Sequence, residues 1–130
     1  MIKDQRDRSG IADRIRFFSN YKGKRILLVD MTNSKPREVE DIARKVPDYV
    51  TAESRGSVLI LTDFTRASFD QDALRTMQQS AVFDKPFVKK SALIGAETLP
   101  RQFYDDIKSF SRRELPIFKN REEALEWLVS

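Results

Sequence analysis

The sequence contains no cysteine and no histidine. The lack of cysteine excludes disulfides, iron–sulfur clusters, thiolate zinc sites and cysteine nucleophiles. The lack of histidine excludes imidazole bases, the Ser-His-Asp triad and the common zinc sites. Because most hydrolytic chemistry depends on one of these groups, we expect a protein that is not an enzyme, with no catalytic residue, no metal site and no cofactor.

Glycine-rich phosphate loops and long hydrophobic runs are also missing. The chain has 4 glycines, and none of them forms the dinucleotide-binding or P-loop pattern after an apolar run. No window approaches the roughly 18 apolar residues of a membrane span, and the basic N-terminus lacks the apolar stretch of a secretory signal. We therefore expect a cytoplasmic protein without a membrane span.

The length of 130 residues is typical of one domain. We interpret residues 1–130 as a single domain, with 1–10 as a flexible or loosely packed N-terminal segment. The net charge of +4 is uneven, since residues 85–121 hold nine basic and four acidic side chains. The doublets Lys89-Lys90 and Arg112-Arg113 belong to no nucleic-acid motif. These charges are typical of a solvated surface, and we expect no nucleic-acid partner.

Short continuous apolar runs predict buried strands at residues 26–29, 58–61 and 92–94, and a weaker one at 116–118. Segments with helical periodicity lie between and after them. This alternation predicts βαβ units, a mostly parallel sheet and right-handed crossovers. Residues 11–18 fit either a helix or a strand by periodicity.

Each of the four predicted helices has a start signal, and the first also has a stop signal. Pro47 is expected to end or kink the first helix, because proline lacks the amide donor. The third helix is expected to bury Phe103 and Phe110, which recur at helical spacing. The residues predicted as N-caps are Ser34, Asp70, Thr98 and Asn120.

Polar residues follow the first two buried strands, where open α/β sheets bind their ligands. Asp30 and Asp63 could hold a magnesium ion through carboxylate oxygens, or they could cap the turns that follow them. The residues alone leave both alternatives open. The candidate binding residues are Asp30, Thr32, Asn33, Asp63, Thr65, Ser68, Asp70 and Gln71.

Four stretches together carry a resemblance to a known family: YKGKRILLVD at 21–30, VLILTDFT at 58–65, KPFVKKSA at 85–92 and residues 118–128. They resemble the SpoIIAA-like STAS family of small bacterial proteins, which is similar in turn to CRAL-TRIO lipid-binding domains. The resemblance covers about residues 12–129. It implies an α/β fold, with a mixed, mostly parallel sheet of four or five strands and about four helices. It also favours an edge strand at 14–18, paired with 25–29.

In anti-sigma antagonists of this kind, a loop delivers a phosphorylatable serine to the start of a helix, where added negative charge is stabilised. Asp70 stands where the family has its aspartate. Gln71, however, stands where the family has its serine. The sequence therefore departs from the family pattern at the regulatory position.

The expected function is a non-enzymatic STAS-like regulatory or binding module that contacts a protein partner or a small ligand. One alternative is a small apolar-ligand carrier like the CRAL-TRIO domains, which the 9 phenylalanines could serve. Another is a receiver-like phosphoacceptor, with Asp63 as the acceptor, Asp30 on magnesium and Lys119 as the contacting amine. Against it, Met31 occupies the place of a receiver's second acid. The sequence leaves open whether the chain forms a homodimer.

Overall fold

The computed structural model describes residues 13–130. The prediction for residues 1–10 lies outside these described residues. The described chain forms a five-stranded sheet and four α-helices. The strands are β1 (Ile15–Tyr21), β2 (Lys24–Asp30), β3 (Val58–Asp63), β4 (Val88–Ile94) and β5 (Ile117–Phe118). The α-helices are α1 (Pro36–Val50), α2 (Gln71–Asp84), α3 (Arg101–Ser111) and α4 (Arg121–Val129), and short 3₁₀ helices occupy Lys85–Phe87 and Ala96–Thr98.

The strands lie side by side in chain order, and all neighbouring pairs from β2 to β5 are parallel. This confirms the predicted α/β fold with a mixed, mostly parallel sheet. It also confirms that the three continuous apolar runs form the centre of the sheet. Residues in these strands are buried on both faces, which is why the runs do not alternate with polar residues.

In the described part of the ambiguous segment 11–18, Asp13 and Arg14 are helical and residues 15–18 belong to β1, so the expected edge strand begins one residue later than 14. β1 is an edge strand antiparallel to β2, and Ile15 pairs with Val29. Lys22 and Gly23 connect the two strands with φ angles of 52° and 76°. Two left-handed residues suit a tight hairpin turn, whose twist matches that of the strands.

The two faces of the sheet carry helices from different parts of the chain. Val39 of α1, Met77 of α2 and Ile107 of α3 belong to one hydrophobic core. Leu125 and Leu128 of α4 belong to a second core on the opposite face. The strands β2 to β5 follow one another across the sheet in one direction, and each is connected to the next by a helix. Because such crossovers are right-handed, all three connecting helices lie on the same face of the sheet. The helix α4 makes no such crossover within the described chain and covers the other face.

Two of the four predicted N-caps are wrong. Lys35 caps α1 instead of Ser34, and its backbone N–H donates to the Glu38 carboxylate at 2.8 Å. Pro100 precedes α3, while the hydroxyl of Thr98 donates to the backbone carbonyl of Ala67 at 2.7 Å. Ser34 and Thr98 instead contact neighbouring loops, and the local sequence does not predict these contacts. The predicted caps Asp70 and Asn120 are confirmed, since each accepts a hydrogen bond from the backbone three residues on.

Two expectations about helix interiors also need correction. The helix α1 continues through Pro47 to Val50, because Val46 and Val50 are buried and hold the last turn against the core. In α3 the buried positions are Ile107 and Ser111. Phe110 lies beside this stripe and is 67% exposed, so the prediction that it is buried is wrong.

Candidate binding edge of the sheet

The loops that follow β2 and β3 repeat one arrangement. Asp30 and Asp63 are register partners at the ends of the two strands. Oδ1 of Asp30 accepts hydrogen bonds from the backbone N–H of Thr32 at 3.0 Å and from its hydroxyl at 2.7 Å. Oδ1 of Asp63 accepts the equivalent bonds from Thr65 at 3.0 and 2.6 Å. Each carboxylate therefore closes its own loop, as the capping interpretation expects.

Backbone hydrogen bonds join the two loops beyond the ends of the strands. The N–H of Met31 donates to the carbonyl of Asp63, and the N–H of Asn33 donates to the carbonyl of Thr65, both at 2.9 Å. Farther along, the N–H of Ser68 donates to the carbonyl of Ser34 at 2.9 Å. The two loops therefore form one connected unit.

Asn33 and Arg66 occupy equivalent places in the two loops, and both have a φ of 58°. The left-handed conformation is uncommon for an arginine and costs about 1–2 kcal/mol. Nε of Arg66 donates to Oδ1 of Asn33 at 2.7 Å, which holds the guanidinium across the loop pair. Within residues 13–130, the terminal nitrogens of this exposed arginine make no other hydrogen bond or ion pair.

Gly95 follows the third central strand and allows the β3 loop to approach closely. Its φ of +65° favours glycine. A Cβ atom at this position would overlap the Thr65 hydroxyl and lie 2.6 Å from the Thr65 backbone nitrogen. Glycine is therefore required here by both backbone conformation and space.

Two arginines from distant parts of the chain complete the edge. Nη1 of Arg14, just before β1, donates to the carbonyl oxygens of Asp30 and Thr32 at 3.2 and 2.9 Å. It also reaches the hydroxyl of Ser34 at 3.2 Å. Nη2 of Arg121, at the start of α4, lies 3.7 Å from Oδ2 of Asp63. Sequence reasoning missed both arginines, because no local pattern relates them to the loops.

The structure brings all eight predicted binding residues to this edge, and their role in binding stays a prediction. Five of them build the connected loops, namely Asp30, Thr32, Asn33, Asp63 and Thr65. Asp70 caps α2 by accepting from the N–H of Ala73 at 2.8 Å. Ser68, Asp70 and Gln71 are exposed beside the loops. Arg66, which is not among the eight, is also exposed at this edge.

The magnesium and phosphoacceptor alternatives find no support in this geometry. Asp63 is only 8% exposed, and one oxygen of each carboxylate is already bound by its own loop. Within residues 13–130, no three acidic side chains are grouped in a way that could hold a metal ion. Lys119 follows β5 and is exposed.

A small apolar cavity of about 90 Å³ lies between the sheet and helices α1 to α3. Pockets for drug-sized ligands have volumes of about 300–1,000 Å³, so a lipid-type ligand would require the helices to move apart. The geometry therefore does not favour the carrier alternative. The polar side chains in the lining are those of Thr62, Ser80, Ser91, Tyr104 and Arg113.

A buried acid lies at the opposite end of the molecule, where α2 ends. Asp84 is 3% exposed, and the Ser80 hydroxyl donates to its Oδ2 at 3.1 Å. Its Oδ1 has no hydrogen-bond partner among residues 13–130. Burial raises the pKa of Asp84 to about 6, opposed by the Ser80 hydrogen bond and the Arg113 charge. Burial also lowers the pKa of Arg113, opposed by the charge of Asp84. The charges of Asp84 and Arg113 therefore offset part of the effect of burial on each other's pKa.

Comparisons with known proteins identify no relative: no family model, curated protein or solved structure matches the chain. Among the helices of residues 13–130, none is long and apolar enough to cross a membrane.

Proposed function

We propose that the chain is a non-enzymatic, STAS-like binding module that recognises a protein partner through the rim of the joined loops after β2 and β3. The observation that carries this proposal is the fixed position of Arg66. A left-handed backbone and the 2.7 Å bond to Asn33 hold its guanidinium at an exposed edge. Strained backbone of this kind tends to occur at functional sites.

The orientation of Arg66 favours a partner with an acidic group. Its Nε is bound within the loop pair, which leaves the two terminal nitrogens for an external acceptor. Guanidinium groups bind carboxylates with two parallel hydrogen bonds. A partner's aspartate or glutamate could therefore dock here without reorganising the arginine.

The surroundings of Arg66 favour a macromolecular partner over a small ligand. Ser68, Asp70 and Gln71 are exposed in the next few residues and extend the polar surface toward α2. The connected backbone below them is already hydrogen-bonded, so little loop entropy would be lost on binding. The rigid loop pair thus supplies a preorganised contact surface.

Site-specific photo-crosslinking in cells tests this proposal. A crosslinking amino acid at Ser68 should capture a defined partner, whereas the same group at Gln79, exposed on α2, should not. Replacement of Arg66 by glutamine should weaken that complex by about 1.5–3 kcal/mol, the typical contribution of a hydrogen bond to a charged group. The matched variant R75Q removes an exposed arginine from α2 and should leave the affinity unchanged.

Equal capture from positions 68 and 79 would contradict the proposal. So would a complex whose affinity is the same in R66Q and in the unchanged protein. Melting midpoints of both arginine variants should be measured alongside, so that a loss of folding is not mistaken for a loss of binding.

A further inference from the structure

A cleft of about 340 Å³ lies near the amino end of β4, away from the loops described above. The short strand β5 pairs only with Leu93 and Ile94, at the end of β4. Among residues 13–130, no strand therefore pairs with residues 88–91 on that side of the sheet. The cleft occupies this uncovered side, between β4 and the segment that follows α3.

The lining of the cleft is strongly basic. Of the residues that the structure describes, five cationic side chains line it and one acidic side chain, that of Glu114. Clefts lined by charges of one sign concentrate the electrostatic field and raise the local concentration of ions of the opposite sign. The cationic residues are Lys85, Lys89, Lys90, Arg112 and Arg113.

Two of the five cations have structural partners. Nζ of Lys90 donates to the backbone carbonyls of Trp127 and Ser130 at 2.9 and 3.0 Å. Nη1 of Arg113 donates to the carbonyl of Ala81 in α2 at 3.1 Å. Cations near the carboxyl ends of helices are stabilised by the helix dipole, and this accounts for both residues without a ligand.

The other three cations, Lys85, Lys89 and Arg112, have no such explanation. All three are exposed, and within residues 13–130 none makes a side-chain hydrogen bond or an ion pair. Arg112 additionally has a left-handed backbone, with a φ of 56°. Three unpaired cations around one cleft repel one another and would be neutralised by a ligand with several negative charges.

We infer that this cleft binds a ligand with two or more adjacent phosphate groups. A single carboxylate would leave most of the positive charge unbalanced, whereas a polyphosphate can contact the arginine fork and the lysine point charges together. The cleft volume is at the lower end of the range for small-ligand pockets. The inference depends on this cleft alone, so it stands or falls separately from the proposed function of the loops.

The phosphates could belong to a free ligand or to the headgroup of a membrane lipid. Phe83 and Phe110 are 57% and 67% exposed at the ends of α2 and α3. Each lies two residues before a cation of the cleft, Lys85 or Arg112. A lipid source would bring these aromatic rings to the bilayer interface, where they bind favourably.

The experiment uses the intrinsic fluorescence of Trp127, the single tryptophan of the sequence, which lines the cleft. Nζ of Lys90 lies 4.9 Å from the centre of its ring, so an anion in the cleft should change the field at the indole. Titration with tripolyphosphate at constant ionic strength should give a saturable change. The variant K89Q/R112Q should raise the midpoint at least tenfold.

The variant R37Q/R101Q is the matched control. It removes two exposed arginines from the starts of α1 and α3 and should shift the midpoint by less than twofold. The melting midpoint of each variant is measured in parallel. No saturable response, or equal midpoints for K89Q/R112Q and the unchanged protein, would overturn the inference.

A second arm distinguishes the sources of phosphate. Sedimentation with phosphatidylcholine vesicles containing phosphatidylinositol bisphosphate, but not with pure phosphatidylcholine vesicles, and its loss in F83S/F110S would indicate a lipid headgroup. Absence of sedimentation together with the fluorescence response would indicate a free ligand. A single-stranded oligonucleotide that displaces tripolyphosphate at lower phosphate concentration would overturn the inference in favour of a nucleic-acid surface.

Discussion

The two ends of the sheet use charged side chains in opposite ways. At the carboxyl end, Asp30 and Asp63 accept hydrogen bonds within their own loops, and arginines from elsewhere in the chain lie beside them. At the amino end, Lys85, Lys89 and Arg112 surround a cleft without partners among residues 13–130. Charge at the first end builds a rigid frame, whereas charge at the second end is available to a ligand.

This difference shows why position after a strand is a poor guide to function by itself. The acids at the carboxyl ends of β2 and β3 match the general site of ligand binding in open α/β sheets. In this chain, however, they stabilise the loops that present Arg66. The groups that could contact a partner are the exposed ones around them.

The largest expected effect comes from Gly95, which tests the rigidity of the carboxyl end. Replacement by alanine should lower the free energy of unfolding by about 2–4 kcal/mol, because the new Cβ would overlap Thr65 and the backbone is left-handed. Gly56 is the matched control, with a φ of +68° and no atom within 4 Å of an added Cβ. The G56A variant should lose only about 1–2 kcal/mol in urea denaturation. Equal losses of unfolding free energy in G95A and G56A would show that Gly95 is not packed closely against Thr65.

The second-largest effect on the free energy of unfolding is expected from Asp84, at the amino end of the sheet. Its pKa is raised in the folded state, from 3.8 to about 6, so the folded protein retains a proton that the unfolded chain has lost. The contribution of this group to stability is therefore greatest at low pH and falls as the pH rises from about 4 to about 6. The total loss should be about 2–3 kcal/mol.

Urea denaturation between pH 4 and pH 7 measures this effect as the difference between the unchanged protein and D84N. The difference should shift in favour of D84N as the pH rises. The control D72N changes an exposed acid of the same helix and should give a constant difference. A difference that moves the other way would mean that Asp84 is ionised and stabilising in the folded protein.

The sequence predicts the centre of this fold well because burial alone determines it. The apolar runs at 26–29 and 58–61 have few alternatives to buried parallel strands. The β1 segment was ambiguous, since a half-buried edge strand with Phe17 packed against the core resembles a short amphipathic helix. The prediction that Phe110 is buried is wrong, because helical spacing does not show which residues flank the core-facing stripe.

The two polar regions differ in how far they can be predicted. The motif Asp-x-Thr begins at the last residue of both β2 and β3, at 30–32 and 63–65, and this repetition is a signal in the sequence from which paired loops can be predicted. The contacts of Arg14 and Arg121 depend on how distant segments meet, which no local pattern encodes. The basic cleft likewise combines residues 85, 88–91, 112–114 and 127, which meet where the short β5 leaves β4 uncovered.

The difference between the two ends is tested most directly by the free energies of unfolding of D63A and K89Q/R112Q, measured in urea at pH 7 without added phosphate. D63A should lose about 1–3 kcal/mol, since it removes the acceptor of two hydrogen bonds at a buried position. K89Q/R112Q should stay within about 0.5 kcal/mol of the unchanged protein, because these exposed cations have no partner to lose in the described part of the chain. A loss above about 1 kcal/mol in K89Q/R112Q, or none in D63A, would contradict the account.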